Sequence, residues 1–488
     1  MRILIVSSEA APLVKTGGLA DVSAALPPAL RAIGLDARLL LPGYPGVLSG
    51  LELEPLARGL ALLPGQPPAD LLGGTMPDGE TPVMVLDCPP LYARGGGPYQ
   101  DEHGMEWADN AFRFAALSRA GALLACDATP LEWHPAVLHC NDWQAGLAPA
   151  YLAFHRGARA RSIASVHNIS FAGVFPADLV PALGLHPAGY SVHGFEFYGA
   201  LSFLKASLYY ADHVVTVSPR YAQEIQTEAF GGGFHGLLAA RSAALSGVLN
   251  GIDVGAWNPR TDLHLKRRYH EDTLHSRKHN KADLQSRTGL EVRSDVALLG
   301  LVGRLTYQKG VDLLAGALGA LGSRPWQLVV LGAGDHALQA DLTALAQAHP
   351  GRVSVRLGFD EPLAHRIEGG ADIFLMPSRF EPCGLNQMYS MRYGTPPVAR
   401  RTGGLADTIV DASAQNLRTR TATGFLFDDA EPQAFAEAIA RAIDLMADVR
   451  AWRRVQRAGM AKDFSWHASA VAYRDIYERT IALSRAIP

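Results

Sequence analysis

Two cations, Arg304 and Lys309, lie five residues apart in a segment bounded by glycines at both ends. The segment follows an unbroken apolar run and precedes a helical pattern, so we predict a turn between a strand and a helix. An arginine and a lysine in one such turn are suited to clamp a diphosphate and to stabilise its negative charge. The alternative for this segment taken alone is an ordinary solvated loop.

A carboxylate and several backbone N–H groups come together in the segment Glu381-Pro382-Cys383-Gly384-Leu385. It follows the apolar run Ile373–Met376 and therefore also lies at the end of a predicted strand. The Glu381 carboxylate is suited to bind sugar hydroxyls, and the N–H groups after Pro382 are expected to face the same place. Those N–H groups belong to Cys383, Gly384 and Leu385. An ordinary solvated loop is again the alternative.

The hexapeptide Thr-Gly-Gly-Leu-Ala-Asp occurs twice, at 16–21 and 402–407, each time between a basic residue and a helical pattern. Paired glycines allow a ligand to approach closely, and free N–H groups at a helix start attract anions. In the first copy Lys15 is suited to pair with a phosphate, Gly17 and Gly18 to donate N–H groups, and Asp21 to cap the helix or bind a sugar. The second copy offers mainly backbone N–H groups, those of Thr402, Gly403 and Gly404. One copy alone is explained by a helix-capping turn, but two copies indicate two similar domains that face one phosphorylated ligand.

Polar residues also follow two apolar runs in the first half of the chain. Asp142 and Trp143 suit a carbohydrate, with a carboxylate for the hydroxyls and an indole for the sugar face. The alternative is a helix-capping aspartate beside a core tryptophan. His167 lies at the end of the run 163–167, where α/β sheets bind ligands, and a structural histidine is the alternative there.

The elements that must position these residues are short β-rich runs that alternate with helical patterns from end to end. Unbroken apolar runs predict strands that are buried on both faces of a parallel sheet. The predicted strands are 3–7, 38–41, 83–86, 137–139, 163–167, 213–217, 298–302, 328–331, 353–357, 373–376 and 397–399. The predicted helices include 22–33, 108–125, 310–321 and 433–444. Such strand–helix units with right-handed crossovers give a doubly wound α/β fold, here in two copies.

Turn-forming residues place the domain boundary within 247–259, where Asn250-Gly251 is a turn signal. We predict an N-terminal domain of residues 1–250, a C-terminal domain of residues 251–467 and a last helix at 468–488. The stretch 266–287 carries many Lys, Arg and His side chains. This composition favours a solvated surface helix that joins the two domains.

Composition excludes several classes of protein. A net charge of −3 over 488 residues gives no basic field for nucleic acid or an anionic membrane. Four cysteines without a C-x-x-C pair suit a reducing cytoplasm, and the first apolar run is too short for an export signal. No stretch is apolar enough to span a membrane. We therefore expect a cytoplasmic protein with neither nucleic acid nor membrane as partner.

No metal or cofactor motif occurs in the sequence: it has no H-E-x-x-H, no aspartate cage, no P-loop and no G-x-G-x-x-G after the first strand. Readings as a dinucleotide oxidoreductase or an NTPase are therefore weak. We predict no cofactor, with phosphate charge neutralised instead by Lys15, Arg304, Lys309 and backbone dipoles.

Together these segments resemble the starch/glycogen synthase family of retaining glucosyltransferases over nearly the whole chain. The resemblance rests on residues 15–22, Asn141-Asp142-Trp143, Val166-His167-Asn168, Gly303-Arg304-Leu305 with Gln308-Lys309-Gly310, residues 381–385 and residues 401–408. It implies a GT-B fold, in which two Rossmann-like domains place the active site in the cleft between them. It also implies that the helix at 468–488 returns to the N-terminal domain.

The resemblance implies transfer of glucose from ADP-glucose to the non-reducing 4-OH of an α-1,4-glucan such as glycogen, with retention at the anomeric carbon. Lys15, Arg304 and Lys309 would then bind the diphosphate of the donor. His167 would contact the donor glucose near the reacting carbon, and Glu381 would hold its hydroxyls. The other donor contacts implied are Gly17, Gly18, Asp21, Asn250, Cys383, Gly384, Leu385, Thr402, Gly403 and Gly404. Tyr99 and Asp142 would contact the acceptor.

The sequence departs from the family pattern at two places, Gln144 and the stretch 262–279, which is unusually rich in His and Arg and has no assigned function. Gln144 stands where the family often has histidine, which indicates a supporting rather than a catalytic residue. Many related retaining transferases carry a second glutamate eight residues after the first, but Tyr389 is found here. That difference favours the synthase group. The sequence leaves open the preference between ADP- and UDP-glucose, and the oligomeric state.

Three other functions compete with this interpretation. A related transferase would make a small product or use another nucleotide sugar, and a phosphorylase would need a lysine that carries pyridoxal phosphate. A catalytically silent glucan-binding protein would keep only the fold. The presence of all five charged or polar site residues, Lys15, His167, Arg304, Lys309 and Glu381, argues against a silent protein.

Overall fold

The computed structural model describes residues 1–485, so residues 486–488, the end of the predicted segment 468–488, lie outside the described residues. The chain divides into two compact units. Unit 1 contains Met1–Asn250 and the segment that begins at Trp466, and unit 2 contains Gly251–Ser465.

Unit 1 is built on a nine-stranded sheet with the order β12-β11-β7-β6-β1-β2-β5-β4-β3. Its strands, with those of a small separate sheet (β8, β9 and β10), are β1 (Arg2–Val6), β2 (Asp36–Pro42), β3 (Glu54–Leu60), β4 (Ala69–Thr75), β5 (Pro82–Asp87), β6 (Val137–Asn141), β7 (Arg161–Val166), β8 (Val174–Phe175), β9 (Glu196–Phe197), β10 (Ala200–Ser202), β11 (His213–Thr216) and β12 (Leu245–Gly247). The strands from β12 to β5 are parallel, whereas β4 and β3 extend the sheet in antiparallel fashion. Because β1 is covered on both faces, Ile3 to Val6 are all buried.

Helices connect these strands in unit 1. They are α1 (Gly18–Ala32), α2 (Pro45–Ser49), α3 (Pro89–Tyr92), α4 (Asn110–Leu124), α5 (Ala148–Ala153), α6 (Phe203–Tyr210), α7 (Pro219–Glu224) and α8 (His235–Ala240). Helix α1 follows β1 after the first glycine loop and buries one face, including Val22, Leu26 and Leu30. That loop is thereby fixed between a buried strand and a packed helix.

Unit 2 is built on six parallel strands in the order β15-β14-β13-β16-β17-β18. They are β13 (Ala297–Val302), β14 (Trp326–Gly332), β15 (Val353–Leu357), β16 (Ile373–Met376), β17 (Pro397–Arg400) and β18 (Phe425–Phe427). In chain order this is 3-2-1-4-5-6, the order of the Rossmann fold, and the parallel strands of unit 1 begin in the same way. Ligands bind such sheets where the strand order reverses, which is between β13 and β16 here and between β1 and β6 in unit 1.

The helices of unit 2 are α9 (Arg277–Arg287), α10 (Leu313–Gly319), α11 (His336–Ala348), α12 (Glu361–Gly370), α13 (Asn386–Arg392), α14 (Gly403–Thr408), α15 (Ala414–Thr419), α16 (Pro432–Met446) and α17 (Val449–Met460). Each predicted strand has a counterpart, and the doubly wound α/β prediction is confirmed. The helices α13 and α14 begin directly after the two segments that the sequence marks around Glu381 and Thr402.

The prediction of a solvated joining helix at 266–287 is wrong. Helix α9 packs within unit 2 and buries Arg277 and Lys281. The Arg277 guanidinium donates to Ala371 O at 2.6 Å, and Lys281 Nζ lies 2.7 Å from Asp372 Oδ2. Buried cations are tolerated when they are paired in this way. Two cations of the stretch therefore have internal partners, whereas Arg267, Arg268, Lys278 and Arg287 are exposed.

The last helix, α18 (Trp466–Arg485), belongs to unit 1 and packs on α1. Below it His139 is fully buried, with Nδ1 2.7 Å from Tyr477 Oη and Nε2 2.6 Å from Ser165 Oγ. Burial lowers the pKa of His139 to about 3, so its ring is neutral. The histidine therefore joins α18 to strands β6 and β7.

Glu368 provides a prediction about stability, because it is buried and its Oε2 has no hydrogen-bond partner among residues 1–485. Burial raises its pKa well above the ordinary value of 4.5, with Arg277 opposing that shift. The folded chain then binds a proton that the unfolded chain has released, so this group lowers stability as pH rises above 4.5. We expect Glu368→Gln to raise the Tm at a pH of about 8 and to give no gain near pH 4.5. Calorimetry at both pH values checks this, and an equal gain at both would contradict it.

Candidate active site

Glu9 organises the loop that follows β1. Its buried carboxylate accepts hydrogen bonds from Thr16 Oγ1 at 2.6 Å and from the N–H groups of Thr16 and Gly17 at 2.5 and 3.2 Å. The Tyr99 hydroxyl donates to the same carboxylate. The Gly17 N–H is thus already engaged in this structure, while the Gly18 N–H has no acceptor among the described residues. Sequence reasoning gave Glu9 no role, and its place directly after β1 was the signal for one.

Lys15 and Asp21 lie together at the start of α1. Lys15 Nζ is 2.7 Å from Asp21 Oδ1, and both side chains are well exposed. Asp21 is not the helix cap, because α1 begins after Gly17 and Asp21 lies in its first turn. An exposed pair contributes little to stability, so Lys15 is available to exchange Asp21 for a phosphate at small cost.

His167 and Asp142 meet at the carboxyl ends of β7 and β6. Asp142 Oδ1 accepts the backbone N–H of His167 at 2.7 Å, and His167 Nε2 lies 2.9 Å from Asn141 Oδ1. Because an amide oxygen only accepts, His167 carries its proton on Nε2. Burial raises the pKa of Asp142, and His167 opposes this shift. Asp142 also has a φ of 52°, a conformation that is uncommon outside glycine.

Two aromatic residues near this loop have partners within the protein. Trp143 packs edge-on against Phe114 at 4.9 Å between ring centres and is partly buried against the core of unit 1. Its packing agrees with the alternative of a tryptophan that supports the core, and the contact with a sugar face stays a prediction. The Tyr99 hydroxyl contacts Glu9 and lies 2.8 Å from Ser8 Oγ. Burial raises its pKa well above 10, so it stays a neutral phenol.

Unit 2 places the two predicted cations together after β13. Arg304 and Lys309 line one cavity with Ser378 and Asn386, at the carboxyl ends of β13 and β16. The Arg304 guanidinium is exposed and forms no hydrogen bond or ion pair with any other residue among 1–485. This cation lies beside a cavity at the switch point, the place where the strand order of the Rossmann sheet reverses. It is therefore suited to bind an anion.

Glu381 lies in the loop after β16 and pairs with Lys309, which lines this cavity. Its buried Oε2 lies 2.6 Å from Lys309 Nζ and accepts a hydrogen bond from Ser378 Oγ at 2.9 Å. Lys309 is therefore held in place before any phosphate binds. The sequence brought Glu381 and Lys309 to one edge of the sheet but gave no sign of their ion pair, nor of the part played by Ser378.

The second hexapeptide copy supports the Glu381 loop. The Gly404 N–H donates to Glu381 O at 3.0 Å, and the Thr402 N–H donates to Arg400 O at 3.0 Å. These two N–H groups are therefore used within the protein. The N–H groups of residues 384–387, at the start of α13, have no acceptor among the described residues. Gly384 and Leu385 are thus the predicted donors that remain available to a ligand.

The two copies of the hexapeptide predict opposite responses to alanine. A Cβ at Gly404 would lie 1.9 Å from Cys383 O, whereas a Cβ at Gly18 would meet nothing within 4 Å. We expect Gly404→Ala to destabilise the fold by about 1 to 3 kcal/mol. Gly18→Ala should fold normally and change only the binding of the donor. Thermal unfolding of both variants checks this, and equal stability losses would count against it.

The remaining predictions concern Asn250 and metals. Asn250 is the last residue of the first segment of unit 1, is buried, and has an Oδ1 without a hydrogen-bond partner among residues 1–485.

Two clusters in the described part of the chain have the ligand types of a metal site: Cys126, Asp127 and His155, and residues 270–272. Neither contains a predicted site residue. Among the described residues no helix is long and apolar enough to cross a membrane.

Two Rossmann-type units, one with a cavity lined by Arg304 and Lys309, match the GT-B fold of glycosyltransferases, and the family models assign the chain to that class. Residues 2–240 match the family described as the starch synthase catalytic domain, and residues 285–457 match glycosyl transferases group 1. The chain belongs to the glycogen synthase family. It is 52% identical over 480 residues to a glycogen synthase of Nitrosospira multiformis, covering 98% of this chain and 97% of that protein. It is also 52% identical over 488 residues to a glycogen synthase of Nitrosomonas eutropha, covering 99% and 97%.

Solved structures agree with this assignment. The catalytic domain of starch synthase IV from Arabidopsis thaliana, bound to ADP and acarbose, has a TM-score of 0.85 and 32% identity and covers 99% of both chains. A sucrose-phosphate synthase from Thermosynechococcus elongatus has a TM-score of 0.59 and 18% identity over 99% of both chains, which shows a shared fold only.

Proposed function

We propose that this enzyme transfers glucose from ADP-glucose to the non-reducing end of an α-1,4-glucan, with retention of the anomeric configuration. The observation that carries the proposal is the cavity of unit 2 that Arg304 and Lys309 line, with Glu381 paired to Lys309. Support comes from relatives named glycogen synthase and from a similar starch synthase structure that is bound to ADP and acarbose.

The reaction breaks the bond between the anomeric carbon and the β-phosphate oxygen, so negative charge grows on the departing ADP. Arg304 and Lys309 would bind that diphosphate and stabilise the charge, with Lys15 as a third cation. The N–H groups of Gly384 and Leu385, together with α13, would add to this field. These groups supply positive charge, and we propose that the enzyme needs neither a metal nor a cofactor.

The sugar becomes oxocarbenium-like as the leaving group departs. Glu381 would bind the hydroxyls of the donor glucose through its carboxylate, while Lys309 moves its charge towards the phosphate. His167 would contact the donor glucose near the anomeric carbon. Asp142 and Tyr99 would contact the acceptor glucan whose 4-OH forms the new bond.

The setting we propose is the cytoplasm. The four cysteines are all free and buried, which suits a reducing compartment. The partners would be small-molecule donor and glucan, without nucleic acid or membrane.

The test is incorporation of radioactive carbon from labelled ADP-glucose into glycogen, with and without EDTA. We expect label in the polymer in both cases and less label when UDP-glucose is the donor. No label from either donor would overturn the proposal, and loss of label with EDTA would overturn the metal-free part. Label confined to a small product would indicate a related transferase, and glycogen binding without turnover would indicate a silent binding protein.

A further inference from the structure

Arg379 lies two residues before Glu381, but its side chain reaches back to the turn that carries Lys309. Its Nη1 donates to Tyr307 O at 2.8 Å and to Asp312 Oδ1 at 2.7 Å, and its Nη2 donates to Asp312 Oδ2 at 2.8 Å. The guanidinium carbon also lies 3.6 Å from the centre of the Tyr307 ring. One side chain therefore holds both ends of the segment 307–312, on either side of Lys309.

The backbones of the two segments are joined as well. The Arg379 N–H donates to Gln308 O at 2.8 Å, and Gln308 Nε2 donates to Phe380 O at 3.3 Å. Gly310 has a φ of 65°, and a Cβ there would lie 2.0 Å from Pro377 O. The turn is thus pressed against the chain that leads to Glu381, at a distance that only glycine allows.

The charge of Arg379 is neutralised within the protein. Its guanidinium forms a bidentate pair with Asp312, and this pair, with the stacked ring, leaves only 18% of the side chain exposed. Arg304 is the opposite case, because its guanidinium is exposed and makes no contact of this kind with the described residues. Arg379 is therefore built to hold a turn, whereas Arg304 is built to meet a ligand.

We propose that Arg379 is a positioning residue, which clamps the turn 307–312 so that Lys309 stays within reach of Glu381 and of the diphosphate of the donor. The proposal rests on the proposed function and extends it to a residue that touches neither substrate. The side-chain clamp needs both partners, since either Arg379 or Asp312 alone leaves the 312 end of the turn without its ion pair. A bidentate and stacked arginine also cannot be replaced by lysine, which has neither the fork nor the planar face.

The test is a double-mutant cycle of Arg379→Ala and Asp312→Ala, with kcat and KM for ADP-glucose and Ki for ADP as readouts. We expect each single variant to lower kcat/KM for ADP-glucose by about 10- to 100-fold, as a misplaced catalytic group does. The double variant should be no worse than either single one. The Ki for ADP should rise in parallel, while KM for glycogen should stay unchanged. Arg379→Lys should resemble Arg379→Ala.

The matched control is Arg324→Ala with Asp444→Ala, because this pair is also bidentate at 2.8 Å but exposed and remote from the site residues in sequence. It should leave every kinetic constant unchanged. Asp312→Asn provides a milder variant if thermal unfolding shows that Asp312→Ala does not fold.

Three outcomes would overturn the clamp. If the Asp312 variants are normally active while Arg379→Ala is inactive, Arg379 is a direct ligand of the phosphate. Substantial activity of Arg379→Lys would lead to the same conclusion. Losses that add in the double variant would show two independent effects. The wild type is measured first. If it transfers no glucose, the proposed function is contradicted, and the double-mutant cycle is then measured through ADP binding by calorimetry. A wild type that neither transfers glucose nor binds ADP overturns both proposals.

Discussion

Replacement of Arg304 or Lys309 by alanine is expected to lower kcat by about 10²- to 10³-fold, equivalent to about 3 to 4 kcal/mol of transition-state stabilisation. Both cations line the cavity at the switch point of unit 2, where the diphosphate of the donor would lie. Charge on that diphosphate is greatest when the sugar has begun to leave, so a fixed cation stabilises the transition state more than the bound substrate. Initial rates with ADP-glucose and glycogen measure this loss, and KM for glycogen should not change.

The two variants should differ in stability, because the two side chains have different surroundings. The side chain of Arg304 forms no hydrogen bond or ion pair among the described residues, so its loss should leave the Tm unchanged. Loss of Lys309 leaves the buried Glu381 carboxylate without its cation at 2.6 Å and should cost about 1 to 3 kcal/mol. Arg454→Ala, an exposed change on α17, is the control for removal of a positive charge from unit 2. A kcat within a few-fold of wild type for both site variants would rule out their role in leaving-group stabilisation.

Most of the parallel strands, all except β12 and β18, could be predicted because their physical cause lies in the sequence. A strand covered on both faces must be apolar throughout, as Ile3 to Val6 are, and such runs are visible without any structure. The antiparallel strands β3 and β4, at one end of the sheet, have no such signal. Strand β3 is mostly exposed and includes a proline and a glycine, so it follows neither the unbroken nor the alternating pattern.

The place of the site could be predicted for a related reason. The carboxyl ends of parallel strands lie at one edge of a sheet, so polar segments after β13 and β16 had to come close together. The ion pair of Lys309 with Glu381 and the hydrogen bonds of Glu9 depend instead on how side chains turn within those loops. Spacing in the sequence does not record that orientation. The two identical hexapeptides illustrate the same point. The glycines of the first copy have free space around them, whereas those of the second are packed against the backbone of Glu381 and Cys383.

Charged segments were the hardest to interpret from the sequence. The cations of α9 suggested solvent, but Arg277 and Lys281 reach backbone carbonyls and Asp372 inside unit 2. A charge is stable in the interior when partners replace its water, and those partners lie about ninety residues further along the chain. Composition within one window cannot reveal them.

Glu381→Gln is expected to lower kcat by about 10²- to 10³-fold, because glutamine keeps the size of the side chain but loses its charge. The carboxylate makes two contacts in the structure, to Lys309 at 2.6 Å and to Ser378 at 2.9 Å, so its first task is to hold Lys309. In the proposed reaction it also binds glucose hydroxyls as positive charge develops on the sugar. The kinetics of transfer to glycogen measure the total effect. Glu368→Gln is the matched control, since it makes the same change at a buried glutamate of unit 2 outside the site.

Inhibition by ADP separates the two tasks of Glu381, since ADP carries the diphosphate without the glucose. If Glu381 acts mainly on the sugar, Glu381→Gln should leave the Ki for ADP within a few-fold of wild type while kcat falls. If it acts mainly by holding Lys309, the Ki for ADP should change as it does in Lys309→Ala, and Ser378→Ala should reproduce part of that change. A Glu381→Gln enzyme with nearly normal kcat would mean that the carboxylate does no more than support the loop. The first result is the one we expect, because Lys309 must turn from Glu381 to the phosphate for the cation to stabilise the leaving group, which leaves the carboxylate to the sugar.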